Sequence, residues 1–174
     1  IKHLARKDAR VIGMVGAGHQ ATFQLRAALE QREFDKVIGW NYHPEMLPNI
    51  EKIAAEAGVP FQAVDLPGMV EADVIISITS AFSPSLMADH VAPGCHLACM
   101  GTDTKGKQEV DPALFTESDV HQLGAVINGT HAGRVSDDQI TLFDGTGVGL
   151  QDLAVAAAVV DLAVAQGIAI EVDF

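Results

Sequence analysis

The stretch from Arg10 to Leu25, RVIGMVGAGHQATFQL, limits the fold more tightly than any other part of the chain. Val11, Ile12, Met14 and Val15 form a short apolar run that ends in Gly16-Ala17-Gly18, and an amphipathic segment follows at once. That order predicts a buried strand, a tight turn and then a helix. Gly16 supplies the turn, Gly18 lets the backbone approach something bulky, and Ala21 lets the helix lie close on the strand. The unpaired N–H groups and positive dipole end of such a helix face the turn, which suits a pyrophosphate. The spacing G-x-G-x-x-A is a variant of the dinucleotide fingerprint. Glycine-rich turns of this kind also occur without a ligand, so the surroundings decide.

Those surroundings favour layered α/β structure. The chain has 174 residues, enough for one domain with a substantial core, and its apolar content of 48% agrees. Aromatic residues are scarce at 5%, while small and β-branched residues are plentiful, as helices packed on a sheet require. A formal charge of −12 with no basic run argues against nucleic acid as a partner. No uncharged apolar span approaches the ~18 residues of a membrane helix, and no signal peptide is visible. Cys95 and Cys99 lack the further ligands zinc needs and are awkwardly placed for a disulfide within one short strand. They read as buried thiols in a reducing compartment, which predicts a cytoplasmic protein. The chain starts at Ile1 rather than methionine, and it reads as a piece of a longer protein.

Taken in order, Ile1 to Arg10 reads as the tail of a helix with basic residues near its end. The fingerprint strand and helix run to about Gln31. Lys36 to Trp40 is a second strand and Asn41 to Pro44 its turn. Glu45 to Ala57 is a helix closed by Gly58. Phe61 to Val64 is a short strand and Pro67 to Glu71 a brief helical link. Val74 to Thr79 and His96 to Met100 are buried strands, and Asp111 to Thr116 a capped helical turn. Ile140 to Phe143 is a late strand, Gly149 to Gln166 a long alanine-rich helix, and Gly167 to Phe174 alternates like a strand leaving the domain. This alternation predicts a Rossmann-type α/β fold: a doubly wound, mostly parallel sheet with helices on both faces and ligands at the carboxyl ends of its strands.

Three of those strand ends carry candidate chemistry. Gly16 to Gln20 is the pyrophosphate turn. Asn41 stands where an acidic residue usually meets the adenosine ribose, and His43 is placed to meet a 2′-phosphate. No Arg or Lys follows in that turn, so NAD is expected, with NADP the alternative. The hydroxyls of Thr79 and Ser80 either line the nicotinamide-ribose side or simply end a strand. Asp103 lies in a glycine-flanked loop with Lys105 and Lys107. There it serves as an acid, a base or an amine holder, or is an ordinary loop carboxylate. The remaining histidines show no metal-ligand spacing, and no serine elbow accompanies Asp89-His90. Asp152 complements the dipole of the last helix.

Four segments together resemble the ornithine cyclodeaminase/μ-crystallin proteins: LARKDARVIGMVGAGHQA, EADVIISITSAFSPSL, APGCHLACMGTDTKGKQEVD and GRVSDDQITLFDGTGVGLQDLAVAAAVVDLA. The resemblance covers most of the chain in order and spacing. It implies that residues 1–174 are the NAD(P)-binding domain of a two-domain, homodimeric protein. Residues 1–10 and 167–174 would then lead to an absent domain for dimerisation and substrate binding. By position it assigns Gly16, Gly18, His19 and Gln20 to the pyrophosphate, Asn41 to the ribose, and Thr79 and Ser80 to the region near the nicotinamide. Met100 would lie against the cofactor, Asp103 at the reacting carbon and Lys107 on the cofactor side. Two departures stand out. Gly145 replaces a serine, and a further strand, helix and loop that the family has before the GR motif is missing near Val120.

The implied reaction is NAD(P)-dependent oxidoreduction at the C–N bond of a small α-amino or α-imino acid. The alternatives are a cyclodeaminase-type lyase that recycles its NAD and a non-catalytic small-ligand binder. The lysine and arginines that hold the substrate carboxylate would belong to the absent part.

Overall fold

The computed structural model describes residues 1–115, 120–145, 147 and 149–172. Six strands form one parallel sheet: β1 (Val11–Val15), β2 (Lys36–Trp40), β3 (Phe61–Ala63), β4 (Val74–Ser77), β5 (His96–Cys99) and β6 (Thr141–Asp144). Their order in space is β3-β2-β1-β4-β5-β6. The chain therefore builds outward from β1 to one edge and returns to β4 on its other side, which opens a crevice at the reversal point. In register, Val15 lies beside Trp40 on one flank and Ser77 on the other, so the exits of β1, β2 and β4 meet at one rim.

The two-residue period of a strand divides the apolar side chains between two cores. On one face Ile12, Met14, Val37, Val74, Ile76 and Ala98 pack with Ala21, Leu25, Ala28, Ile50, Ile53 and Ala54. The last six come from the helices α1 (His19–Gln31) and α2 (Pro48–Glu56). On the other face Val15, Ile38, Ile75, Leu97 and Cys99 pack with Met69, Leu86, Val91 and Val110. Both faces are covered, which is why β4 can be buried along its whole length. Gly13 gives Met69 and Ala72 room, since a Cβ there would lie 3.0 and 3.1 Å from their side chains.

At the opposite rim two charged side chains lock the entrances of the strands. Asp73 accepts from the backbone N–H groups of Arg10 and Val11 and from the Arg6 guanidinium, at 2.7, 2.9 and 2.6 Å. Arg134 donates to the carbonyls of Leu4, Gln139 and Cys95 and to the Thr141 hydroxyl.

Most expected elements are present, several shifted by a residue or two, and three expectations are corrected. Residues 1–10 form turns rather than a helix, because Asp73 draws the backbone at Arg10 and Val11 out to meet β4. The segment Glu45–Ala57 is split into a 3-10 turn over Pro44–Met46 and α2, with Pro48 starting the second piece. Ile168 to Val172 is exposed and pairs with no strand among the described residues, since alternation alone supplies no neighbouring strand. The capped turn at Asp111 is present over Pro112–Leu114, with Asp111 accepting from Ala113 N at 2.9 Å. Thr116, Asp173 and Phe174, included in the sequence expectations, lie outside the described residues. Two short helices were not expected: a 3-10 turn at Ala88–His90 and α3 (Leu123–Ile127).

The last helix, α4 (Gly149–Ala165), carries no buried residue; Leu153, Val155 and Val159 are all more than half exposed. No helix among the described residues is long and apolar enough to cross a membrane.

Candidate functional site

The turn after β1 is shaped by contact with the exit of β4. Gly16 has φ +113°, and a Cβ there would lie 2.3 Å from the Ile78 carbonyl oxygen. Only glycine fits. Gly18 is different: its φ is −71° and a Cβ would meet nothing within 4 Å. It precedes α1 as a cap without a side chain, and the first turn of α1 holds no acidic residue. The helix thus presents backbone N–H groups and its positive end to open space at His19 and Gln20. Ala17 is held from two sides: its N–H donates to Asn41 Oδ1 at 3.1 Å, and its carbonyl accepts from Asn49 Nδ2 at 3.2 Å.

Asn41 therefore has a structural duty alongside the expected one. Its Oδ1 faces Ala17, and its Nδ2 donates to the His43 carbonyl at 2.8 Å. The side chain staples the turn after β2 to the turn after β1. His43 itself is exposed, with Nδ1 3.4 Å from Glu45 Oε1 and its ring edge-on to Tyr42.

Past β4 and β5 the chain enters a second part of the rim. Thr79 and Ser80 follow β4, with the Thr79 methyl 3.3 Å from where a Gly16 Cβ would stand. Met100 follows β5 directly, and its sulfur would be 2.8 Å from a Cβ on Gly145. Asp103 lies in the loop beyond, exposed, with Oδ1 2.5 Å from Lys107 Nζ. The hydrogen bond and charge of Lys107 hold its carboxyl below the usual range. Thr102 Oγ1 donates to Asp144 at the end of β6, at 3.0 Å. The sequence-derived residues Gly16, Gly18, Asn41, Thr79, Ser80, Met100, Asp103 and Lys107 stand at the carboxyl ends of the strands or in the loops that leave them, and His19 and Gln20 open α1 at the same rim. His43 stands at the same rim but turns to Glu45.

One residue of this rim escaped the sequence reading. Glu109 is buried, 1% exposed, and its carboxylate accepts from Ser77 Oγ, Thr79 N, Thr79 Oγ1 and Gly101 N at 2.8, 2.5, 2.9 and 2.6 Å. In the charged stretch DTKGKQEVD it reads as a loop residue, and neither periodicity nor a cap signal marks it.

Cys95, Cys99 and His96 are buried in the interior of the sheet. Burial pushes both thiols, Cys95 and Cys99, up to about 12. Burial, with nearby positive charge, brings His96 down to about 3; its Nδ1 lies 3.0 Å from Thr141 Oγ1. Among the described residues no group of His, Cys, Asp or Glu is arranged to hold a metal ion. Two cavities, of about 570 and 300 Å³, lie away from the glycine turn: one beside β6 and α3, one between the leading residues and α1.

This topology, with an open helix start at the strand-order reversal, defines the class of Rossmann-like nucleotide-binding domains. The particular lineage follows from comparison with known proteins. The model of the ornithine cyclodeaminase/mu-crystallin family matches residues 1–121 and 114–167, and the chain belongs to that family. It is 54% identical to the iminosuccinate reductase of Paracoccus denitrificans over 202 residues, a match covering 99% of this chain and 63% of the relative. The crystal structure of that reductase in complex with NAD+ superposes with a TM-score of 0.94 at 52% identity, covering 99% of this chain and 62% of the other. An archaeal alanine dehydrogenase dimer with bound NAD gives a TM-score of 0.91 at 28% identity, covering 99% and 63%. The chain thus spans a little under two thirds of the length of these relatives.

Proposed function

We propose that this chain is the nicotinamide-nucleotide domain of an NAD-dependent oxidoreductase that acts on the C–N bond of a small α-amino or α-imino acid. The observation that carries the reading is the glycine turn: Gly16 pressed against the exit of β4, Gly18 open, and α1 starting without a side-chain cap. Gly16, Gly18, His19 and Gln20 hold the pyrophosphate through main-chain N–H groups. Asn41 keeps one amide hydrogen and one lone pair for the adenosine ribose. Thr79, Ser80 and Met100 border the nicotinamide side. NAD is favoured over NADP because Glu45 faces His43 at the place a 2′-phosphate would enter. The NAD complexes of the two relatives above support the same choice.

Bound there, the reduced nicotinamide supplies the two-electron reductant that an imine carbon accepts. Asp103 does the complementary work. An ionised carboxylate at that carbon stabilises the positive nitrogen of a protonated imine, and protonation is what makes an imine a good acceptor. Lys107 keeps Asp103 ionised. In the oxidative direction the same carboxylate takes a proton from the substrate amine or from an attacking water.

The remaining length of the relatives points to a second domain that completes the substrate pocket and a homodimer, reached through residues 1–10 and 167–174. The uncovered apolar face of α4 is suited to pack against it. The match over 202 residues exceeds the 174 of this chain by 28, and the two family matches meet over residues 114–121. We place the missing strand-helix unit of the family there. Two buried free thiols suit a reducing cytoplasm.

Titration with NADH and NADPH, followed by an absorbance assay with imino acids or with oxo acids plus ammonia, tests the reading. NADH binding and nicotinamide oxidation on adding an imino acid are expected. Ammonia release from ornithine without net change in NADH would identify a cyclodeaminase instead; binding without any turnover would identify a small-ligand binder.

A further inference from the structure

We infer that Glu109 is a positioning residue, whose buried carboxylate ties the exit of β4 to the exit of β5 and so sets Asp103 in register with Thr79 and Ser80. The inference rests on the role of Asp103 given above. Three bonds go to the β4 side: Ser77 Oγ, Thr79 N and Thr79 Oγ1 all donate to Oε1. The fourth goes to the β5 side, where Gly101 N donates to Oε2 at 2.6 Å. Asp103 is two residues beyond Gly101, and Ser80 is one beyond Thr79. One carboxylate therefore spans both loops that border the reacting end of the site.

Glu109 is itself firmly placed. Its carbonyl accepts from Ser85 N and Leu86 N, Gln108 N donates to the Ala81 carbonyl, and Asp111 N donates to the Leu86 carbonyl. Leu86 and Val110 form a parallel bridge. The acid thus hangs from a small, buried pairing of two loop segments rather than from a free loop. Gly101 is matched to it: a Cβ there would be 2.3 Å from the Thr79 carbonyl oxygen and 2.6 Å from Glu109 Oε1. The close approach of the two strand exits needs both the glycine and the carboxylate.

Charge, and not shape alone, is what the arrangement uses. A carboxylate offers acceptor positions on both oxygens and no donor, so it can satisfy donors from both strands at once. An amide of the same shape cannot. In Glu109→Gln the carbonyl oxygen takes the place of Oε1 and keeps three partners, while the NH2 group faces the N–H of Gly101. The β5 side is released and the β4 side is kept.

The test compares the wild type, Glu109→Gln and Glu109→Asp in the full-length protein, by residue-resolved hydrogen exchange and steady-state kinetics. In Glu109→Gln the Gly101 amide is expected to exchange far faster while the Thr79 amide keeps its protection. The value of kcat for imine reduction should fall about a hundredfold, the cost of a misplacement of about 1 Å, with KM for NADH nearly unchanged. Glu109→Asp keeps the charge on a shorter stem and should recover part of kcat, whereas a purely space-filling role would favour Gln. Unchanged exchange at Gly101, equal losses in kcat and NADH affinity, or Gln outperforming Asp would overturn the inference. If the wild type reduces no imine, the functional reading fails, and exchange at Gly101 and Thr79 still decides the tie between strands. If Glu109→Gln does not fold, faster exchange at Gly101 than at Thr79 in Glu109→Asp carries the comparison.

Discussion

The ammonium of Lys107 lies 2.5 Å from the carboxylate of Asp103, four residues back in the same loop. The pair makes Asp103 a standing anion: its pKa is lowered, chiefly by the Lys107 hydrogen bond, with the Lys107 charge and the Thr104 hydroxyl adding to it against desolvation. A group held this way steadies a cation better than it delivers a proton. Activity that needs the anion is present above the Asp103 pKa and falls as pH drops through it. Lys107→Ala should move the acid limb of the kcat/KM profile to higher pH, toward the ordinary carboxylate range. Asp103→Asn should lower turnover by about 10²–10⁴-fold with NADH affinity retained. A pH profile of each variant checks both, and an unmoved acid limb in Lys107→Ala would remove Lys107 from this role.

The two glycines of the turn should fail in different ways. Gly16→Ala forces a Cβ to within 2.3 Å of the Ile78 oxygen at a positive φ. It should destabilise the domain by about 1–3 kcal/mol or more, read from a denaturant midpoint. Gly18→Val meets open space and ordinary dihedrals, so the fold should lose no more than about 1 kcal/mol, from the weaker cap. NADH binding should nonetheless be abolished, because the new side chain occupies the approach of the pyrophosphate. Retained NADH affinity in Gly18→Val would count directly against the proposed site.

Asn41 offers a test of whether two turns act together. Asn41→Leu removes both the bond from Ala17 N and the bond to the His43 carbonyl, at a cost of about 1 kcal/mol for each net hydrogen bond. Weaker NADH binding should accompany the loss, since Ala17 lies between the two glycines. Asn41→Asp keeps an acceptor for Ala17 but sets a carboxylate against the His43 carbonyl, and should discriminate more strongly against NADPH. Paired titrations with NADH and NADPH measure the ratio.

His96 gives the fold an acid-sensitive point. Its pKa falls from 6.5 to about 3, chiefly through burial, with the positive charge of Arg134 adding to it. The native state thus holds the neutral ring while an unfolded chain takes up a proton below 6.5. Stability from this residue is fully present above about pH 6.5 and is lost progressively as pH falls toward about 3. His96→Leu cannot titrate, so its urea midpoint should vary less across that window than the wild type's. Parallel slopes would show that other groups govern the acid response.

The sheet was legible because its signals are local. The apolar run before Gly16, the β-branched run VII before Ser77 and the Pro67 link each announce an element without help from the rest of the chain. The glycine turn was legible for the same reason, as were the helix over His19–Gln31 and the Asp111 cap. Duties that depend on distant partners were not. Asn41 could be placed at the end of β2, but its bond to Ala17 exists only because β1 and β2 pair. Glu109 sits amid charged residues, and its burial follows from the pairing of two loop segments that share no periodic signal. Residues 1–10 misled for a related reason. Their helical look is overridden by Asp73, more than sixty positions away. At Met100, Lys107 and Asp103 local signals leave the role open, and the roles proposed for them come from the family resemblance.

Arg134 fastens Leu4, near the start of the chain, to the bases of β5 and β6, far along it. Tension applied to the leading residues would be spread over two adjacent strands as shear, rather than peeling the end away one bond at a time. A domain anchored in this manner resists unravelling from its leading end, and the crevice at the far rim keeps its shape under such a load.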